Sequence, residues 1–550
     1  MEERRLLLAV ALSLLVLTAY QILFPPAPPP SRSQGAPTTT APRAAAPPPS
    51  VAEPPQPLTR AKVSDDQERR VEVEGRHMTI ALTNRGARLL SWRLSGFKDA
   101  RGRPEDMVET APGAVRPLDL ETGDPALDAR LREAIFLPTE TSLQLTAGRP
   151  SELRFEYSDG EIEATKTLRF AADGYLVGVE AGVRRRGVQV PARILWGPGI
   201  GNPTAAEREI RGYQGPQAVV SSHGSVTRHP GAGIGQPQSF ANVAFAGVES
   251  HYFAALWVPS PSAAMAEIRG VALAAPEGGA ARSEPIASVP TGPGAPALLY
   301  VGPKDYHTLK AAGHGLEHVV PVGEWIGPLV VPLLDLLRFV HRFIGNYGWS
   351  IVALTALINA ALGPLRHYSI KNGIKMAKLS PEMRVIQDRY RKVPALDPRR
   401  QQMQDEIQAL YARHGMSMGT QMAVGCLPVL LTMPFLFAFY RVLDVSVDLR
   451  GASFLWIPDL SQKDPLFLTP LLMGASMVVM QKMTPSAMDP AQQRMMMLMP
   501  LVLMGMFFWA PSGLNLYWLA SNVCSIAQQA VTLRLMKQEE RREPREKDRA

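Results

Sequence analysis

The residues of this 550-residue chain that could do chemistry are uncharged amides and hydroxyls set inside long apolar runs: Thr355 and Asn359; Gln421 and Thr432; Ser476; then Asn515, Ser521, Asn522, Ser525, Gln528 and Gln529. No Asp, Glu, Lys, Arg or His stands at mid-depth in these runs. Proton-coupled transporters and pumps need such groups inside the membrane, so that class loses most of its support. Metal-assisted and nucleophilic catalysis fare no better. There is no histidine pair or HExxH, and Cys426 and Cys524, the only cysteines, have no base nearby in sequence. What amides and hydroxyls can do is hydrogen-bond and hold water. Facing lipid they would cost free energy, so they must face helix partners or water. A bond between helices explains any single one; their number across several helices favours a shared polar cavity. Methionine is the second bias, as in Met473, Met477 and Met480 and in Met495, Met496, Met497 and Met499. Its flexible, polarizable side chain suits a surface that accepts many apolar sequences, although ordinary core or lipid-facing methionine explains any one position as well.

The elements that must position these groups are spans of crossing length. The expected crossings are 344–366, 415–443, 465–482, 495–510 and 514–535, the last two separated by the turn residues Pro511, Ser512 and Gly513. A sixth run, within 1–24, has nineteen uncharged residues from Leu6 to Phe24 behind Arg4 and Arg5. It reads as an uncleaved signal anchor, with a cleaved signal peptide as the alternative. Residues 320–343 form an amphipathic helix that can lie in the interface, with Asp335, Arg338 and Arg342 on one stripe. Residues 367–414 read as an antiparallel helical hairpin, Met383, Ile386, Tyr390 and Val393 facing Met403, Ile407, Leu410 and Tyr411. Its other faces are basic. They are either simply solvated or a docking surface for an acidic partner such as a ribosome or lipid headgroups.

Charge sets the direction. Arg366 to His414 holds eleven Lys or Arg against five acids, whereas Asp444 to Asp464 holds two against four. The first is therefore cytoplasmic and the second outside, and an even number of crossings puts both termini inside, including the charged tail 536–550. The net charge of +8 resides beside the spans, which argues against nucleic acid.

Outside the membrane, 25–64 is a linker in which thirteen of the thirty-three residues from Pro25 to Pro57 are proline. Residues 65–310 alternate apolar and polar over short segments, with turn signals at Ser158-Asp159-Gly160 and Ala172-Asp173-Gly174, which indicates an antiparallel β-sandwich. No recognisable catalytic set stands in it. The fold class is thus a polytopic α-helical membrane protein, six transmembrane helices in all, with a β-sandwich outside.

Several long strings carry a resemblance: "GCLPVLLTMPFLFAFYRVL", "FLWIPDLSQKDPLFLTPLLMG", "QKMTP", "MMMLMPLVLMGMFFWAPSGLNLYWLASNVCSIAQQ" and "SWRLSGFKD". Together, the first four in this order along the membrane part and the last in the β segment, they resemble the YidC membrane protein insertases of Gram-negative bacteria. The resemblance implies a non-enzymatic insertase and chaperone of the inner membrane, without cofactor, metal or small-molecule substrate. Its β domain is periplasmic, and its five core helices surround a polar groove open to cytoplasm and lipid. The implied partners are nascent membrane proteins, the Sec translocon and its accessory subunits, membrane lipids and a ribosome. The groove would be lined by Asn359, Thr355, Tyr517, Thr432 and Gln528, and the greasy face for substrate by Met433, Leu436, Met473 and Met506. The family typically carries an arginine in the groove, and counting back from Pro364-Leu365 places that position at Asn359. Arg366 is expected at the membrane edge, leaving a groove that is wet but uncharged. On that expectation Asn359→Leu impairs insertion more than Asn359→Arg.

Overall fold

The computed structural model describes residues 62–547 except 100, 110–114, 147, 172, 202–214, 274–281, 324, 391–392, 395–396, 415–432 and 485–489. The expected anchor, nearly all of the linker, Thr432 and the first two-thirds of the span 415–443 lie outside the described residues.

Alternation of apolar and polar residues builds three sheets between Arg70 and Pro303. In the strand Ile162–Phe170, Ile162, Ala164 and Leu168 are buried in the domain core. The hairpin before it closes where expected: Asp159 accepts from the backbone N–H groups of Glu161 (2.9 Å) and Ile162 (2.7 Å), and Gly160 takes the φ of +93° that the turn requires. The largest sheet has ten strands and runs from Ser225–Pro230 at one edge to Leu137–Pro138 at the other. Two five-stranded sheets complete the domain, and Trp92, Trp196 and Trp257 are fully buried in the shared core. Among the described residues pairing is antiparallel with one exception, Arg70–Glu74 beside Ser142–Gln144, which is parallel. The chain reaches that edge after the crossing helix α1 (Pro125–Glu133), and a parallel neighbour needs such a crossover where a hairpin cannot serve.

Helix α2 (Tyr306–Ala312) ends the β domain, and α3 (Gly327–Ile344) begins the helical part. Helix α3 is amphipathic: Val330, Leu333, Leu334 and Leu337 are buried, while Phe339 and Phe343 are exposed. Asn346 caps α4 (Tyr347–Ala361) by accepting from Trp349 N–H. The expected crossing 344–366 is not one straight helix. It bends by 60° into α5 (Gly363–Arg389), at a point where Pro364 has no N–H to continue the ladder. Helix α5 pairs with α6 (Arg399–Arg413), and Met383, Met403, Ile407, Leu410 and Tyr411 form their shared core, flanked by Ile386 and Tyr390. Then follow α7 (433–445), α8 (Leu468–Met483), α9 (Pro490–Phe507) and α10 (Ser512–Lys547). Helices α8 and α9 approach closely at Gly474, where a Cβ would stand 2.8 Å from Met504 Sδ. Among the described residues no single helix has both the length and the apolarity of a crossing; α4 and α5 have them only as a bent pair.

Candidate functional site

Helix α10 organises the polar residues of the helical part. Its positions 521, 525, 528 and 532 follow the 4-3-4 spacing that brings side chains onto one stripe of a helix. That stripe faces the bend between α4 and α5. Asn359 lies 3.5 Å from Ser521 Oγ, Arg366 donates to Ser525 Oγ, Gln528 donates to the Gly363 carbonyl at 2.6 Å, and His367 Nδ1 lies 3.1 Å from Thr532 Oγ1. A second stripe, one residue around the helix, faces α8: Asn522 donates to Ser476 Oγ (2.9 Å) and Gln529 to Thr484 Oγ1 (3.2 Å). Two rows of neutral dipoles thus hold α10 to separate neighbours.

Between the rows lies a cavity of about 470 Å³, walled by polar Asn359, Arg366, Ser521 and Gln528 and by apolar Leu436 and Trp518 among others. The bend at Leu362 is part of its wall, with Ile358 and Asn359 on one side of it and Arg366, Ser369 and Ile370 on the other. Phe439 on α7 stacks on Tyr517 at 4.2 Å between ring centroids, which fixes that wall.

The structure corrects the expectation of an uncharged groove through Arg366. Arg366 lies two turns beyond Asn359 and points back into the cavity, where it donates to Asn359 Oδ1 at 2.8 Å and to Ser525 Oγ. Its polar partners are both neutral, and among the described residues no carboxylate pairs with it. The cavity therefore contains a half-buried, uncompensated positive charge, and Asn359 serves as its acceptor. Asn359 completes the arrangement by donating to the Thr355 carbonyl at 2.8 Å.

The remaining candidates separate. Tyr517 and Gln528 line the cavity. Thr355 does not: it is fully buried and donates to the Ile351 carbonyl one turn back. On the apolar side, Leu436 is in the cavity wall, and Met433 and Met506 are exposed at 40% and 61%. Met473 is fully buried in the helical core and offers no open surface. Asn522, Gln529 and Thr484 also line the cavity. The seven-residue interval from Asn522 to Gln529, matched by the eight from Ser476 to Thr484, is the signal that could have paired them.

Comparison with known proteins covers both halves of the chain. Residues 70–336 match the family model of the YidC periplasmic domain, and residues 339–540 match that of the 60Kd inner membrane protein. The membrane protein insertase YidC of Geobacter metallireducens is 32% identical over 543 residues, 96% of this chain and 98% of that protein. The chain belongs to the YidC insertase family. Similar YidC proteins occur in Geobacter sulfurreducens, 35% identical over 72% of this chain and 73% of the relative, and in Nitratidesulfovibrio vulgaris, 32% identical over 97% and 100%. The YidC family is one of inner-membrane insertases, not of enzymes, and the β-rich half of this chain is its periplasmic domain.

Proposed function

We propose that this chain inserts hydrophobic segments of nascent inner-membrane proteins, and helps them fold, by way of the cavity between α4, α5, α7, α8 and α10. One observation carries the reading: two rows of neutral hydrogen-bonding groups on α10 enclose a space that also holds Arg366, with which no carboxylate among the described residues pairs. The physical problem is desolvation, since moving one charged side chain to mid-bilayer costs ~2.5 to 3.5 kcal/mol even on insertion scales. A wet cavity offers a client's short translocated tail polar partners in place of water, and Arg366 attracts its carboxylates. The adjoining apolar segment leaves along the exposed face of Met433 and Met506, driven by burial of its own surface in lipid.

In this reading the helical part and the anchor make six crossings, with both termini cytoplasmic. The groove opens to cytoplasm and lipid, and the α5–α6 hairpin lies on the cytoplasmic side. The protein acts alone or beside the Sec translocon, and the basic faces of the hairpin meet a ribosome or anionic headgroups. Depletion of the protein, followed by protease accessibility of a small Sec-independent client's tail, tests the function. The tail is expected to stay protected from periplasmic protease; a tail that reaches the outside at the normal rate and extent overturns the proposal.

A further inference from the structure

The loop between α7 and α8 has its polarity reversed. In a loop bathed by water, carboxylates face out and leucines face in. Between Ser453 and Phe467 the opposite holds: Asp464 is 1% exposed and Asp459 is half-buried, whereas Leu455 is 68% and Leu466 63% exposed, with Phe467 open beside them. Asp464 is held inside by four donors, the N–H groups of Leu466 (2.9 Å) and Thr469 (2.7 Å), the Thr469 hydroxyl (2.8 Å) and the Trp456 indole (3.2 Å). Among the described residues 453–467, Lys463 is the one exposed charged side chain.

The outward leucines do not come from a slack loop. Phe454 and Ile457 exchange backbone bonds of 2.8 Å, so Leu455 and Trp456 form the corner of a tight turn, and Leu455 takes a φ of +52° there. Phe467 takes +53°. Left-handed backbone is uncommon for side chains of this size and persists only where the surroundings over-determine it. Here they do. Phe454, Ile457 and Leu460 are buried in the helical core, and Asn346, the cap of α4, donates to the Ser453 carbonyl at 3.0 Å. At the start of α10 the N–H groups of Ser512 and Gly513 donate to the carbonyls of Gln462 (2.7 Å) and Leu460 (2.9 Å). The loop is thus bound to the first turns of α4 and α10. Exposed aromatics adjoin it on both sides: the Trp349 ring lies 5.2 Å from that of Phe454, and Phe467 lies 5.5 Å from Phe508, the neighbour of exposed Trp509.

Whatever covers this surface must accept leucines, indoles and one lysine together. The boundary between acyl chains and headgroups of a bilayer does so: tryptophan is enriched there, and a lysine stem lies along apolar surface while its ammonium reaches the phosphates. Irregular backbone is tolerated at that depth when its polar groups are bonded within the protein, as the bonds to Asn346, Ser512 and Gly513 show for this loop. We propose that 453–467 is a membrane-dipping loop, which buries Leu455, Leu466 and Phe467 in the outer leaflet of the phospholipid bilayer and holds Lys463 at the headgroups. The proposal rests on the reading above of the helices as crossings, with this segment on the outer side. Because the loop is rigid and bonded to both helices, it sets how deep the first turns of α4 and α10 sit in the bilayer.

The test uses the full-length protein in nanodiscs of phosphatidylethanolamine and phosphatidylglycerol, with Cys426→Ser and Cys524→Ser as background and a nitroxide on one introduced cysteine at a time. Leu455→Cys and Leu466→Cys report on the loop, Val502→Cys on the exposed face of α9, and Val188→Cys on an exposed apolar position of the β domain. Collisions of the label with oxygen, which partitions into lipid, are compared with collisions with a water-soluble nickel chelate. At 455 and 466 the balance is expected to shift toward oxygen, as at 502 and away from that at 188. A label at either loop position that meets the chelate as freely as the one at 188, while 502 is in lipid, overturns the proposal and leaves the crossings intact. A label at 502 open to the chelate overturns the crossings and the proposal with them. A loop label shielded from both reagents means that protein covers the surface, a second copy or another membrane protein, and overturns the assignment to lipid. Loop labels in lipid in a preparation that inserts no client support the proposal and sink only the insertion reading.

Discussion

Placing an arginine at position 359 should damage this protein, even though that is where the family pattern leads one to look for a groove charge. Asn359 Oδ1 accepts from Arg366 at 2.8 Å, so a guanidinium at 359 would replace an acceptor with a second cation. Two unit charges about 4 Å apart repel by about 4 kcal/mol at an effective dielectric of 20. Either Arg366 withdraws from the cavity or water enters to separate the two, and both outcomes remove the present geometry. Asn359→Leu adds no charge; it loses the acceptor, worth about 1.5 to 3 kcal/mol for a hydrogen bond to a charged group, and the bond that Asn359 donates to the Thr355 carbonyl. The expected order of insertion rate is wild type, then Asn359→Leu, then Asn359→Arg, the reverse of what the uncharged-groove expectation gives for the two variants. The combination Asn359→Arg with Arg366→Thr has one cation in the cavity again and should recover most of the loss. The assay is the rate at which the acidic tail of a single-span client becomes protease-accessible outside, in vesicles containing equal amounts of each variant. Wild-type rates for Asn359→Arg, or a double variant no better than the single one, would refute the reasoning.

Three further outcomes are expected. Lys166 is wholly buried with its ammonium donating to the carbonyls of Gly86, Ala87 and Leu118, and burial depresses its pKa to about 7. The unfolded chain therefore holds more protons than the folded one between that value and the ordinary lysine range near 10.4. Stability of the β domain should rise as pH rises through that window, and Lys166→Met should flatten the slope; denaturant unfolding of the full-length protein, followed by core tryptophan fluorescence at pH 7 and 9.5, checks both. Gly474→Ile drives a branched side chain against Met504 and should destabilise the α8–α9 pair by about 1 to 3 kcal/mol, seen as a lower midpoint in thermal unfolding in detergent. Asp464 accepts from the N–H groups of Leu466 (2.9 Å) and Thr469 (2.7 Å), so Asp464→Ala should cost about 0.5 to 2 kcal/mol and speed hydrogen exchange at the start of α8.

The β domain was legible because its cause is local: alternation and Asp-Gly turns act within a few residues, as the hairpin at Asp159 shows. Its parallel edge pair was not, because it depends on where a crossover delivers the chain. The hairpin core from Met383 to Tyr411 was likewise written in heptad-like spacing, and the same periodicity places its side chains in the structure. The cavity was half legible. A count of polar residues points to one, but which of them face it depends on helix rotation, and Thr355, four residues from Asn359, turns to its own backbone instead. Arg366 was misplaced for a plain geometric reason. Placing Arg366 by its backbone, just past Pro364-Leu365, left out the reach of its side chain, which extends back two turns to Asn359.

The two rows on α10 also fix what the cavity cannot sense. Apart from Arg366, the polar wall among the described residues is built of amides, hydroxyls and one phenol: Asn359, Ser369, Thr484, Tyr517, Ser521, Asn522, Ser525, Gln528 and Gln529. Among the described residues that line it, none is a carboxylate, an imidazole or a lysine, so these groups supply no side chain that changes its protonation near neutral pH. If clients pass through this cavity as proposed, these groups present them with the same electrostatic surface whatever the acidity on either side of the membrane. Selection among clients then falls to the clients' own titratable tails, and a pH dependence of insertion should follow the sequence being inserted.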